Sequence, residues 1–316
     1  MQTKINLEKK LNLEVPSPLH FFNLSKNSTN DVKFLIKRDD QIHPIVSGNK
    51  WRKLKYNLET IVDKKIQQVI SFGGAWSNHL HALGWCCKQL EIDLIVFVRG
   101  EATDTPSAMI QDLIDWGVTI KWLNRKQYRQ KSDPDWLSYL ATEYPQAEII
   151  PEGGSNSLAL KGIAELAEEL KKQVGKIDYI CAAVGSGGTL AGLIDQFSTT
   201  DTKLIGIPVL KSGDSLQLQI ESLIQSKSNN WQLLHGYELG GYAKYDQSLA
   251  DFIVGFQQQN KILLEPIYTA KLMRAVEDLN QKHFFHEGST VVVLHSGGLQ
   301  GLRGDNKFKL KKLLET

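Results

Sequence analysis

The sequence predicts an α/β protein with mostly parallel sheets in two domains. Three observations carry this. Apolar runs of strand length recur along the chain, amphipathic stretches of helix length fall between them, and glycine-rich turns follow several of the runs. In order, the strand candidates are KFLIKR (33–38), QQVISF (67–72), DLIVFV (93–98), VTIKWL (118–123), DYICAAV (178–184), KLIGIPV (203–209) and TVVVLH (290–295). Several are continuous and β-branched, the pattern of strands covered on both faces. Residues 77–90 place Leu80, Leu83, Cys87 and Leu90 on one helical face. Residues 157–173 do the same with Leu158, Ile163, Leu166 and Leu170. The turn-rich segments HPIVSGNK (43–50) and PEGGSNS (151–157) are the expected domain crossings. Residues 47–156 then form a smaller inserted α/β domain, and 1–46 with 157–316 form a larger one. A ligand is expected in the cleft between them, at the C-terminal ends of strands.

Composition narrows the function classes. The 316 residues are 41% hydrophobic and 23% charged, within the globular range. Lys and Arg number 37 against 35 Asp and Glu, so no concentrated basic charge suggests a nucleic-acid or acidic-membrane partner. The KFKLKK run at 307–312 is expected to be a solvated helix face. Three cysteines, Cys86, Cys87 and Cys181, cannot make a disulfide framework and suit small buried hydrophobes in a reducing compartment. The opening MQTKINLEKKLNLE lacks an apolar signal segment, and no run approaches the ~20 apolar residues of a membrane span. A cytoplasmic protein is expected.

The chemistry-bearing segments are four glycine turns and one lysine. The turns are SFGGAWSN (71–78), PEGGSN (151–156), AVGSGGTLAG (183–192) and LHSGGLQG (294–301). Glycine lets the chain bend sharply from strand to helix and brings N–H groups to a helix N-terminus, where anions bind. In the third turn, Gly185, Ser186, Gly187, Gly188 and Thr189 suit a monophosphate. The dinucleotide pattern G-x-G-x-x-G fails there because Leu190 follows where the third glycine is due, and no P-loop pattern occurs. An unliganded βα turn is the alternative. Lys50 follows the turn Ser47-Gly48-Asn49 at the start of a helix, where the helix dipole lowers an amine's pKa. That suits an amine nucleophile or Schiff-base lysine. Lys53 lies one helical turn on; solvated lysines are the alternative for both. A phosphate cradle together with such a lysine is explained economically by pyridoxal 5′-phosphate (PLP).

At these residues the chain resembles a known family. GNKWRKL (48–54), SFGGAWSNH (71–79), VGSGGT (184–189), LLEPIYTAKLM (263–273) and LHSGG (294–298) occur in the order seen in the 1-aminocyclopropane-1-carboxylate (ACC) deaminase/D-cysteine desulfhydrase family. These are fold-type II PLP enzymes, related to the tryptophan synthase β chain. The resemblance covers roughly residues 14–302. It implies that Lys50 bears PLP and that Asn78 bonds its phenolic oxygen. Ser77 is then an active-site serine near the substrate carboxylate. Gly185 to Thr189 hold the phosphate with help from Lys53, and Ser296 faces the pyridine nitrogen. Tyr268 and Tyr242 are the matching active-site tyrosines. The implied activity is α,β-elimination from a small amino acid: D-cysteine to pyruvate, sulfide and ammonia, or alternatively ACC to 2-oxobutyrate and ammonia. A non-catalytic PLP carrier is the alternative of another class. A homodimer is implied. Two departures bear on substrate: Val293 stands near the tyrosine that ACC deaminases carry before their final His-x-Gly-Gly, and Trp76 replaces a common Gln.

The remaining motifs add little chemistry. His79 and His81 are spaced i, i+2 and do not share a helical face, so joint metal binding is not expected; His79 is a candidate for lining the cleft. His295 reads as a satisfied strand-end histidine. Trp51, Trp85, Trp116 and Trp122 read as packing residues. No H-E-x-x-H, G-x-S-x-G or C-x-x-C occurs.

Overall fold

The computed structural model describes residues 5–24, 31–211, 213, 215–241, 243–305 and 307–314. In chain order the strands are β1 (Leu19–Phe21), β2 (Lys33–Lys37), β3 (Gln68–Gly74), β4 (Asp93–Arg99), β5 (Thr119–Leu123), β6 (Ala147–Ile149), β7 (Tyr179–Val184), β8 (Lys203–Pro208), β9 (Trp231–Leu233) and β10 (Thr290–Leu294). The helices are α1 (Leu7–Lys10), α2 (Asn49–Asp63), α3 (Asn78–Leu90), α4 (Ala108–Asp115), α5 (Arg125–Tyr128), α6 (Pro134–Glu143), α7 (Ser157–Gln173), α8 (Gly188–Phe197), α9 (Ser215–Leu223), α10 (Gln247–Asn260) and α11 (Thr269–Gln281). Each expected strand is present, its ends shifted by at most two residues. Three further strands, β1, β6 and β9, are three residues long each. The basic run near the C-terminus forms a 3-10 turn, Leu310–Leu314, with Lys311 and Lys312 exposed.

The chain divides into two compact units. The smaller comprises the segment to Val15, His43–Val46 and Lys50–Gly162; the larger comprises Pro16–Ile42, Ser47–Asn49 and Ile163 onward. The divisions fall inside α2 and α7. The first residues go with the smaller unit: Leu7 and Leu11 are buried, and Lys55 Nζ meets Glu8 Oε1 at 2.7 Å.

The smaller unit holds a four-stranded sheet in the order β5-β4-β3-β6, with all pairs parallel. Phe72, Phe97 and Trp136 cluster at one face, with ring centroids 5.4–5.7 Å apart. The larger unit holds six strands in the order β1-β2-β10-β7-β8-β9; among the described residues only β1 and β2 pair antiparallel. Both faces of this sheet are covered. Val291, Val293 and Cys181 enter one core, while Val292, Leu294, Ile180 and Ala182 enter the other. This is the period-two alternation of a sheet between helix layers, and it explains the continuous apolar runs. Adjacent strands β10 and β7 run parallel with Val293 opposite Cys181, so their C-terminal ends deliver Ser296 and Gly185 to the same edge.

Candidate active site

In the larger unit, three turns converge at that edge. After β7 the chain passes Gly185 and Ser186 to Gly187, whose φ of 75° lies in the left-handed region. Gly187 is the N-cap of α8 and supplies no side-chain cap, which leaves the first-turn N–H groups of α8 without intrahelical acceptors. A Cβ at Gly187 would lie 2.6 Å from Ile220 Cγ1, so only glycine fits the turn. Thr189, on the first turn of α8, is buried, and its Oγ1 accepts a bond from Asn49 Nδ2 at 3.0 Å. Asn49 is strapped a second time: its N–H donates to Ser296 O at 3.3 Å, and Gly48 N–H donates to Asp39 O at 2.7 Å. The approach is so close that a Cβ on Gly48, where φ is 74°, would stand 1.8 Å from Ser296 O. A cavity of about 10 Å³ lies here, lined among others by Asp39, Asn49, Thr189, His295 and Ser296.

Tyr268 belongs to the same edge. It is the N-cap residue of α11, and a Cβ on Gly185 would lie 3.2 Å from its Cε1. Glu265 fixes this residue from behind. Its carboxylate accepts bonds from Ile267, Tyr268 and Thr269 N–H at 2.8, 2.8 and 2.7 Å. Burial pushes the Glu265 carboxyl pKa up, against the effect of those N–H groups. His295 is satisfied, with Nε2 donating to Leu263 O at 2.7 Å and Nδ1 accepting from Gly297 N–H at 3.3 Å. Tyr242 lies outside the described residues.

In the smaller unit, α2 carries Lys50 and Lys53. Lys50 is half-buried and directly follows the strapped Asn49. Lys53 is buried, and its Nζ donates to Ser155 Oγ at 2.8 Å and Gly153 O at 3.2 Å. Burial, helped by the charge of Lys50, brings its pKa down to about 7. At the end of β3, Ser77 caps α3: its Oγ accepts from Leu80 N–H at 3.2 Å, so its own hydroxyl proton is directed elsewhere. Gly73 makes room for it, since a Cβ there would lie 2.7 Å from Ser77 Oγ. Trp76 sits half-buried in the turn just before, with Asn78 opening the helix after it.

His79 lies beneath these residues. Ser71 Oγ donates to Ile150 O at 2.8 Å and faces His79 Nε2 at 2.8 Å. The serine's only proton is used, so Nε2 carries the imidazole proton and Nδ1 is a bare acceptor. That Nδ1 is buried with no hydrogen-bond partner. Burial, with the charges of Lys53 and Lys50, lowers the His79 pKa to about 3, so the ring stays neutral. The cysteines carry no such chemistry: burial raises all three thiol pKa values, that of Cys87 to about 12.

The structure thus brings Gly185–Thr189, Ser296 and Tyr268 to one edge of the larger sheet. In the smaller unit Ser77 and Asn78 open α3, and the charges of Lys50 and Lys53 both act on His79, the next residue of that helix. Sequence reading passed over Asn49, Asp39 and Glu265. A signal existed for Glu265, a glutamate just before Pro-Ile-Tyr at a helix start, the setting in which carboxylates cap N–H groups. The residues fit PLP. An uncapped helix start after a glycine turn, with the Thr189 hydroxyl in its first turn, suits a phosphate.

Residues 11–297 match the model of the pyridoxal-phosphate dependent enzyme family. The chain belongs to that family, and it is a PLP-dependent enzyme. A putative 1-aminocyclopropane-1-carboxylate deaminase of Pyrococcus abyssi is 27% identical over 285 residues, covering 86% of each chain. The mitochondrial bifunctional D-cysteine desulfhydrase/1-aminocyclopropane-1-carboxylate deaminase of Arabidopsis thaliana is 27% identical, covering 91% of this chain and 77% of its own. D-Cysteine desulfhydrase of Klebsiella pneumoniae is 25% identical, covering 91% and 93%. A crystal structure of an ACC deaminase homologue superposes with a TM-score of 0.78 at 26% identity, covering 95% of this chain and 96% of that one.

Proposed function

We propose that this chain is a PLP-dependent lyase that eliminates the β substituent of a small amino acid, with D-cysteine as substrate. The products are pyruvate, hydrogen sulfide and ammonia, with one water consumed. The observation that carries the reading is the double strap on Asn49. It fixes the residue before Lys50 to Thr189 on one side and to Ser296 on the other. Relatives named D-cysteine desulfhydrase support the substrate.

PLP, when bound, withdraws electrons from the substrate Cα and acidifies its hydrogen. The rest falls to the chain. Lys50 holds the cofactor at rest, and its Nζ takes the Cα proton as general base. The Ser77 hydroxyl donates to the substrate carboxylate. Tyr268, with Tyr242, delivers a proton to the departing sulfur. The N–H groups of 185–189 and the Thr189 hydroxyl bind the phosphate, with Lys53 adding positive charge. Asn78 bonds the ring oxygen, and Ser296 bonds the pyridine nitrogen.

ACC deamination is the second reading, favoured by relatives that bear that name. Against it, Val293 is 1% exposed within the β10 core, so that position gives no acid at a substrate. In this proposal the protein acts as a homodimer, on the precedent of the resemblance, and in the reducing cytoplasm that its three buried thiols suit. The test is a panel of D-cysteine, L-cysteine, β-chloro-D-alanine, D-serine and ACC. D-Cysteine should give the highest kcat/KM. Turnover of ACC above the others would overturn the ranking. A yellow protein whose spectrum ignores all five would make the chain a carrier.

A further inference from the structure

Lys271 lies in the first turn of α11, three residues after Tyr268. It is 1% exposed, yet its ammonium meets backbone carbonyls: Glu238 O at 2.8 Å, Gly241 O at 2.9 Å and Val209 O at 3.4 Å. Burying an ammonium is costly unless its donors are matched. Here the match is with carbonyl oxygens converging from two separate stretches of chain, the kind of donor set that replaces the hydration shell of a monovalent cation. The turn that supplies two of them is bent for the purpose. Leu239, Gly240 and Gly241 have φ of 48°, 90° and 110°, and Gly241 N–H closes on Glu238 O at 2.9 Å. A run of left-handed residues, one of them a leucine, persists only where the surroundings fix it. The third carbonyl leads to the phosphate loop. Val209 follows β8 and donates its N–H to Val184 O at 3.1 Å, and Val184 is the residue before Gly185.

We propose that Lys271 is a tethered monovalent cation. Its ammonium fills a carbonyl cage formed by Val209, Glu238 and Gly241, and the filled cage positions Tyr268 against the strand end that carries the 185–189 loop. The cage stands on geometry alone; only the catalytic importance of Tyr268 rests on the function proposed above. Lys271 is a positioning residue, since it reaches the chemistry through the helix it anchors.

The chemistry makes a specific demand. Lys271→Ala removes three methylenes and the ammonium, and it leaves three inward carbonyls that a free cation can bind. The apo Lys271→Ala protein should melt at a higher temperature in potassium, ammonium or propylammonium chloride than in tetramethylammonium chloride at equal ionic strength. The apo wild type should melt alike in all four. In the holoenzyme the substitution should lower kcat/KM by roughly 10- to 100-fold, the cost of orphaned buried polar groups. The salts that raise the melting temperature should restore part of that loss, in the same order. Melting and activity that do not distinguish the four cations overturn the proposal. Should the alanine variant fail to fold, Lys271→Met fills the stem's space without charge. It should lose activity and show no cation response, and wild-type activity in that variant would overturn the proposal. A wild type that takes up no PLP would remove the functional reading, while the apo melting series would still decide the cage.

Discussion

His79 is a buried base kept from its proton, and that has a thermodynamic signature. The unfolded histidine takes its proton near pH 6.5 and the folded one only near 3. Between these values the unfolded state binds the extra proton, so stability falls as pH falls through the window, by up to about 1.4 kcal/mol per pH unit. Above 6.5 the group adds no pH dependence. His79→Gln keeps a donor for Ser71 and cannot titrate, so its stability should decline less steeply from pH 6.5 toward 4 in chemical denaturation. Equal slopes would show that His79 protonates in the fold. Glu265 makes the complementary case. Glu265→Gln keeps the shape, but an NH2 must then face one of the N–H groups of 267–269 that the carboxylate accepts now. The cost should be about 1–3 kcal/mol. Because Tyr268 is among those residues, kcat should fall more than KM rises. A variant with wild-type kcat would make Glu265 a helix cap without influence on the tyrosine.

At the scale of elements, the strap formed by Ser47, Gly48 and Asn49 is the most demanding piece of local geometry. Gly48→Ala must place a methyl where Ser296 O now lies and hold alanine at φ of 74°. The backbone strain alone costs about 1–2 kcal/mol, and relief of the clash pulls Asn49 from Thr189. The variant should bind PLP more weakly, read by titration of the visible band. Gly117→Ala is the control, since Gly117 has φ of 79° but nothing within 4 Å of its Cβ position. That variant should lose stability and keep PLP affinity. The same elements show what a sequence discloses. Most of the seven longer strands are legible because both sheet faces are apolar, β5 because exposed and half-buried residues alternate along it, and three of the four glycine turns because they follow those strands. β1, β6 and β9, at three residues each, are too short to carry a period. Asn49 and Lys271 were illegible for another reason. Their partners lie 140 and 247 positions away for Asn49 and 30 to 62 away for Lys271, and no local pattern announces such pairings.

For the whole molecule, the proposal ties stability to cofactor. A ligand that binds only the folded chain stabilises it by RT ln(1 + [L]/Kd), about 2.7 kcal/mol at a hundredfold excess over Kd. Wild-type protein should therefore melt several degrees higher with PLP than without it. Lys50→Ala separates the parts of that gain. Lys50 is half-buried at the second position of α2, where alanine is a good helix former, so the apo variant should melt close to the apo wild type. Without the amine no covalent link forms, and the visible band of lysine-bound PLP should vanish. The phosphate contacts of the 185–189 loop remain, so added PLP should still raise the variant's melting temperature, by less than in the wild type. Pyridoxal, which lacks the phosphate, should give the variant almost nothing. A Lys50→Ala protein that keeps the visible band would move the cofactor link to another lysine. One stabilised equally by pyridoxal and by PLP would remove the phosphate role from the glycine loop.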